Sequence, residues 1–201
     1  MPRPTVPDTS SPTARARILH SAHDLFYREG IRATGVDRII AESGVAKLTF
    51  YRHFPSKNDL IVAYLEYRHQ RWMGWFADAL ARHGGGAGAI VPAVAEWFRD
   101  PHYRGCAFIN TVGELGATLP AVVEITRRHK DEATEVLAGV LPASRQRMEL
   151  AQAIAMAIDG AIVRAQFDLA PDAALASLDR VIRSLLATKT EPRSASFIRC
   201  E

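Results

Sequence analysis

Residues 34–57 read TGVDRIIAESGVAKLTFYRHFPSK, a spacing that predicts two short helices joined by a tight turn. Thr34 and Asp37 are spaced as a capping box, so the first helix is expected to open at Thr34. Val36, Ile39 and Ile40 make an i, i+3, i+4 apolar stripe that leaves Asp37, Arg38 and Glu42 to water. Gly44 stands where a helix end calls for positive φ, and Val45 can plug the corner. A second helix over residues 46–54 would bury Phe50 and Phe54, one turn apart, and turn Lys47, Leu48, Thr49, Tyr51, Arg52 and His53 outward. Pro55 cannot continue it, and Ser56 with Asp59 forms a second capping box. An outward face this polar and aromatic suits the major groove of DNA.

The charge distribution agrees with that reading. Residues 13–57 hold eight Lys or Arg against four Asp or Glu, a balance of +4, while the whole chain carries only +3. The remaining residues therefore sum to −1, and the positive charge coincides with the helix pair. An excess this small gives modest affinity alone, so two copies acting together are expected.

Outside this stretch the chain reads as helices only, an all-α fold. Thr13 can cap a first helix that turns Ile18, Ala22, Leu25 and Phe26 inward and ends at Glu29 and Gly30. A long helix is expected over residues 56–82, broken by the glycines at 84–88, which lack the Gly-Lys-Ser/Thr of a phosphate loop. Further helices are expected over 89–99, 104–115, 120–141, 144–169 and 171–187, with disordered ends at 1–12 and 188–201. No apolar run is long enough to span a membrane, and the N-terminus lacks the apolar core of a signal peptide. Two cysteines, Cys106 and Cys200, fit a reducing cytoplasm.

The stretch GVAKLTFYRHFPSK, with GVDRIIAES before it and RARILHSAHDLFYREG upstream, resembles the N-terminal domain of TetR-family transcriptional repressors. The likeness covers residues 13–65, with Gly44, Val45, Thr49, Phe50, Tyr51, His53, Phe54 and Lys57 in register. It implies a three-helix helix-turn-helix domain over 13–57, then a larger helical domain over 58–187 that binds a small molecule and dimerises. It also implies that Thr49, Tyr51, His53 and Lys57 hold the sugar-phosphate backbone. Lys47, Leu48 and Arg52 then face base edges, with guanine O6 and N7 accepting from the two cations and a thymine methyl against Leu48. Thr34 and Arg15 add phosphate contacts. Gly35 departs from the Ser or Thr that the family often has there, so the hydroxyl for a phosphate contact at that position is absent.

Assembly is suggested by the helix over 144–169. Met148, Ala151, Ala155, Ile158, Ile162 and Ala165 recur at spacings of three and four, and Leu150, Ile154, Ala157 and Ala161 line a neighbouring face. In the next helix Leu175, Leu178, Ile182 and Leu185 repeat the pattern. Two such helices from each of two subunits would build a twofold four-helix interface. Burial of both faces inside one subunit meets the same periodicity, and the family resemblance favours the homodimer.

The expected sensor for a small-molecule effector gathers Trp72, Trp75, Phe76, Trp97, Phe98, Phe108 and Met156, with Phe167 beside them, as apolar walls. Asn110, Glu114 and Asp159 are its candidate polar anchors, and Cys106 is a candidate redox or electrophile-sensing thiol, with a buried structural cysteine the stronger reading. For any one aromatic, plain core packing is the stronger reading. Together they favour a hydrophobic or aromatic effector over a sugar or a phosphate. No cofactor or metal is expected, because the seven histidines are scattered and no G-x-S-x-G, H-E-x-x-H or Cys-His metal spacing occurs. The rival to a double-stranded DNA binder is a helical carrier of apolar ligands that has lost DNA binding. Lys47, Tyr51, Arg52 and Lys57 argue against it, because a carrier has no use for them.

Overall fold

The computed structural model describes residues 12–168 and 170–187. The expected disordered ends lie outside these residues, apart from Pro12. Among the described residues the chain is helical without strands: α1 (Ala14–Glu29), α2 (Val36–Ser43), α3 (Lys47–His53), α4 (Lys57–Arg82), α5 (Ile90–Phe98), α6 (Ala107–Leu115), α7 (Pro120–Val140), α8 (Arg147–Ala165) and α9 (Asp172–Ala187). A 3-10 turn, Ala87–Ala89, precedes α5.

Most helix ends follow from local chemistry. The Thr13 hydroxyl accepts from the Ala16 amide at 3.2 Å and opens α1. Gly44 closes α2 in the left-handed region, at φ 63° and ψ 30°. Before α4, the Ser56 amide donates to Asp59 at 2.9 Å and the Asp59 amide donates to the Ser56 hydroxyl at 3.2 Å, a complete capping box. Two starts differ from expectation. Thr34 does not cap α2; its buried hydroxyl donates to the Gly30 carbonyl at 2.7 Å, and Gly35 takes the N-cap position with no side-chain bond. Helix α6 opens at Ala107 rather than Arg104, because Gly105 has φ +81° and Tyr27 holds the preceding backbone. The Tyr27 hydroxyl donates to the Gly105 carbonyl at 2.9 Å and accepts from the Arg104 amide at 3.0 Å. The expected end of α8 at residue 169 lies outside the described residues, and the helix itself closes at Ala165.

The chain divides into two compact units, whose described parts are residues 12–75 with 104–130 and residues 76–103 with 131–187. In the first, α1 packs on α2 and α3. Ile18, Ala22, Leu25 and Phe26 meet a core that includes Ile39, Phe50 and Phe54, all at most 3% exposed. Truncating a buried phenylalanine of this kind costs roughly 3–5 kcal/mol, so Phe50 and Phe54 act as the hinge pins of α3.

In the second unit α9 packs on both α5 and α8, and α5 on α8. This arrangement corrects the expected partner-facing set. Ala151, Ile158, Ile162, Leu175, Leu178 and Ile182 are buried within the single chain, together with Leu150, Ile154 and Ala161 of the neighbouring face. Ala155, Ala165 and Leu185 are half-buried, and only Met148 of the expected set is well exposed. Period alone cannot separate two buried faces from one buried and one open. The large apolar side chains left in solvent on or beside these helices are Met148, Met156, Val163, Phe167 and Val181.

Candidate DNA interface

Helix α3 presents one face to solvent because Phe50 and Phe54 lock its other side. Leu48 is 73% exposed, an unusual state for a leucine, and Tyr51 is 41% exposed beside it. Lys47 and Arg52 are exposed too, while Thr49 and His53 are half-buried at the flanks. The Lys47 ammonium lies 3.4 Å from Asp37 of α2, both groups largely in solvent, a contact worth little and readily exchanged for another anion. The Tyr51 ring meets Phe50 edge-on at 5.2 Å, which holds the phenol outward without burying it. Arg15 of α1 is exposed, its guanidinium 5.1 Å from the Phe54 ring centre. Lys47, Leu48, Tyr51 and Arg52 therefore project from one short helix, seated by its aromatic back.

Two of the expected contact residues have partners within the chain. Thr34 is 1% exposed, and its hydroxyl is used by the Gly30 carbonyl, so it has no free donor for a phosphate. The Lys57 ammonium donates to the Ile31 carbonyl at 2.6 Å and lies 5.9 Å from the Phe26 ring centre. Burial pushes its pKa below the ordinary lysine value, with the Glu114 carboxylate acting in the opposite direction. Lys57 is thus a staple beneath the loop that leads into α2.

That loop has a second staple which spacing could not reveal. The Glu114 carboxylate of α6 accepts from the Ile31 amide at 3.2 Å and the Arg32 amide at 2.8 Å. The Arg32 guanidinium returns a bond to the Glu114 carbonyl at 2.9 Å. Gly30, at φ +89°, sits directly under this carboxylate; a Cβ there would lie 3.4 Å from it. Glu114, expected as a polar anchor for an effector, holds the loop of the helix-turn-helix through these bonds.

The other expected sensor residues fall into two groups. In the first unit Phe108 stacks on His129 at 3.7 Å, and Trp72 meets the same ring at 5.0 Å and Trp75 at 6.4 Å. His129 also contacts His69, Nδ1 to Nδ1, at 3.1 Å. Burial is the main cause that lowers the His129 pKa to about 2, helped by the neighbouring Lys130, His69, Arg68 and Arg128. Cys106 is buried at the start of α6, and the Asn110 side chain donates to the Arg104 carbonyl at 2.9 Å. In the second unit Trp97 and Phe98 surround Tyr103, at 5.5 and 5.1 Å. Phe76 is buried and Asp159 half-buried there. Met156, at 76% exposed, stands in solvent. Sequence reasoning passed over His69, His129, Tyr27 and Tyr103. A signal for His129 existed: it continues the Val122, Ile125 stripe toward Ala133, masked by the charged RRHK around it.

Comparison with known proteins gives the same picture. Residues 18–64 match the family described as bacterial regulatory proteins, tetR family. A crystal structure of a TetR-family transcriptional regulator from Streptomyces coelicolor is 31% identical, with a TM-score of 0.74 over 89% of this chain and 96% of that one. An uncharacterised HTH-type transcriptional regulator from the lacX 3′ region of Lactococcus lactis is 24% identical over 161 residues, 74% of this chain and 81% of its own length. A second such regulator, YxaF of Bacillus subtilis, is 40% identical over 60 residues, covering 29% of this chain and 31% of that protein. Among the described residues no helix is long and apolar enough to cross a membrane.

Proposed function

This chain belongs to the TetR family of transcriptional regulators, and from that premise we propose that it is a homodimeric repressor released from a palindromic operator by a small hydrophobic or aromatic effector. The observation that carries the DNA-reading part is the face of α3. A leucine that is 73% exposed, flanked by Lys47, Tyr51 and Arg52, serves no packing purpose within the chain. Its use is in a groove: Leu48 against a thymine methyl, Lys47 and Arg52 toward guanine, and Tyr51, Thr49 and His53 on the phosphates beside them. Arg15 supplies a further phosphate contact.

The division of labour is residues 13–57 for DNA and 58–187 for effector binding and dimerisation, in the cytoplasm. Met148, Met156, Val163 and Val181 on α8 and α9 support the dimer, since burying exposed apolar side chains against a second copy is favourable at about 25 cal/mol per Å². The aromatic groups around His129 and around Tyr103 support an apolar effector. Helix α4 contributes residues to both compact units and is the covalent lever between them. An effector that favours the state with mis-spaced recognition helices releases DNA through its differential affinity for the two states.

The test is equilibrium titration of the DNA flanking the gene against random DNA. Wild-type protein should prefer the flanking DNA, and Arg52→Ala should reduce discrimination at one base pair by about 1–3 kcal/mol while leaving random DNA binding nearly unchanged. Equal losses on both DNAs would remove Arg52 from base reading.

A further inference from the structure

Helix α3 holds no acidic residue, and its two exposed cations differ in what stands beside them. Arg52 has no hydrogen-bond or ion-pair partner among the described residues. Lys47 has one: its ammonium lies 3.4 Å from the carboxylate of Asp37, in the first turn of α2. The two side chains are 66% and 86% exposed, so the bond itself adds little to stability. Its charge is another matter. The Asp37 side chain is short and fixed to α2, where the helix dipole favours a carboxylate, so negative charge stays beside Lys47 when the ammonium turns to a new acceptor. Glu42, the other acid of α2, lies toward α1: it adds to the effect of Glu29 in holding the Arg28 guanidinium above its ordinary value. Asp37 is therefore the carboxylate of α2 set against α3. In a domain that sums to +4 over residues 13–57, an acid at this place works against general attraction to DNA.

Charged and uncharged acceptors respond to this carboxylate differently. A phosphate brought to Lys47 comes close to Asp37 as well, well inside the roughly 8 Å over which physiological salt screens charge. Its attraction to the ammonium is then largely cancelled by repulsion from the carboxylate. Guanine O6 and N7 accept hydrogen bonds without carrying a net charge, so Asp37 opposes a phosphate far more than a base edge. Arg52 stands five residues along α3, about 7.5 Å further on its axis, where the same repulsion is weaker. We propose that Asp37 is a specificity-determining residue: it denies Lys47 to the phosphates of random DNA and leaves the ammonium to uncharged acceptors on base edges. Asp37 has this role only if α3 reads DNA, as proposed above. Lys47 and Arg52 then divide the work, the first discriminating between acceptors and the second drawn to phosphate and base alike.

The experiment uses the full chain and two duplexes, one of random sequence and one selected from a random pool by the wild-type protein, each titrated between about 50 and 200 mM salt. Asp37→Asn should bind the random duplex about three- to tenfold tighter, with a salt slope steeper by about 0.9, as one more phosphate is neutralised. The selected duplex should gain less than about twofold, so discrimination falls. Asp37→Glu keeps the charge and should discriminate as wild type does. With Lys47→Ala in place, Asp37→Asn should lose at least about half of its effect on the random duplex, because the two residues act as a pair. Glu42→Gln should leave the slope unchanged. Equal gains on the two duplexes, an unaltered slope, an effect that survives Lys47→Ala intact, or an equal shift from Glu42→Gln would each overturn the proposal. A wild-type chain that selects no duplex overturns the reading of α3 and the role of Asp37 together. A wild-type chain that selects one, with Asp37→Asn binding both duplexes as it does, overturns the role of Asp37 alone.

Discussion

Replacing Glu114 by alanine removes both acceptors that hold the loop into α2 and leaves α6 its backbone. The Ile31 residue is 2% exposed, so its amide, now 3.2 Å from the carboxylate, would lose its partner in a place water reaches poorly. A buried donor left unpaired costs roughly 1–3 kcal/mol. The Arg32 amide, at 2.8 Å, belongs to an exposed residue and can turn to water, a loss of roughly 0.5–1.5 kcal/mol. The bond from the Arg32 guanidinium survives because it ends on the Glu114 carbonyl. Glu114→Ala should therefore lower unfolding free energy by about 2–4 kcal/mol, and Glu114→Gln, which keeps one acceptor, by about half as much. Urea unfolding followed by circular dichroism measures the total, and hydrogen exchange at the Ile31 amide localises it. A loss below about 0.5 kcal/mol with Ile31 still protected would refute the clamp, since that is the range of an ordinary surface change.

Two further predictions come from the rest of the molecule. His129 is held neutral in the fold, with its pKa lowered to about 2, while the unfolded chain takes up a proton near pH 6.5. Its contribution is complete above about pH 6.5 and is lost as pH falls from there toward 2; His129→Gln should flatten the stability–pH slope in urea titrations by up to about 1.4 kcal/mol per pH unit, and an unchanged slope would contradict the assignment. Met156→Glu should turn a dimer into a monomer in sedimentation without lowering the monomer's helicity, because the side chain is 76% exposed in the single chain; a dimer that persists would move the interface elsewhere.

What the sequence made legible is what is settled within a turn or two. Thr13, Gly44 and the Ser56–Asp59 pair cap their helices as their spacing requires, and Phe50 and Phe54 seat α3 as their period requires. Thr34 misled because its spacing to Asp37 fits a cap, but the Gly30 carbonyl four residues back competes for the same hydroxyl. Glu114 and Lys57 meet the Ile31 loop from 83 and 26 residues away, a separation that no local pattern encodes. On α8 the failure was of another kind. Its two apolar faces were visible, but a face packed on α5 or α9 has the same period as a face packed on another subunit. His129 was hidden by its charged neighbours, although it lies in phase with Val122 and Ile125.

If two copies of α3 read DNA together, hydroxyl-radical footprinting on the DNA flanking the gene will record both at once. Two symmetric protected patches about 10–10.5 base pairs apart, or a whole-turn multiple of that, should appear together as protein is added. A single protected half-site, or no protection at concentrations that saturate random DNA, would contradict it.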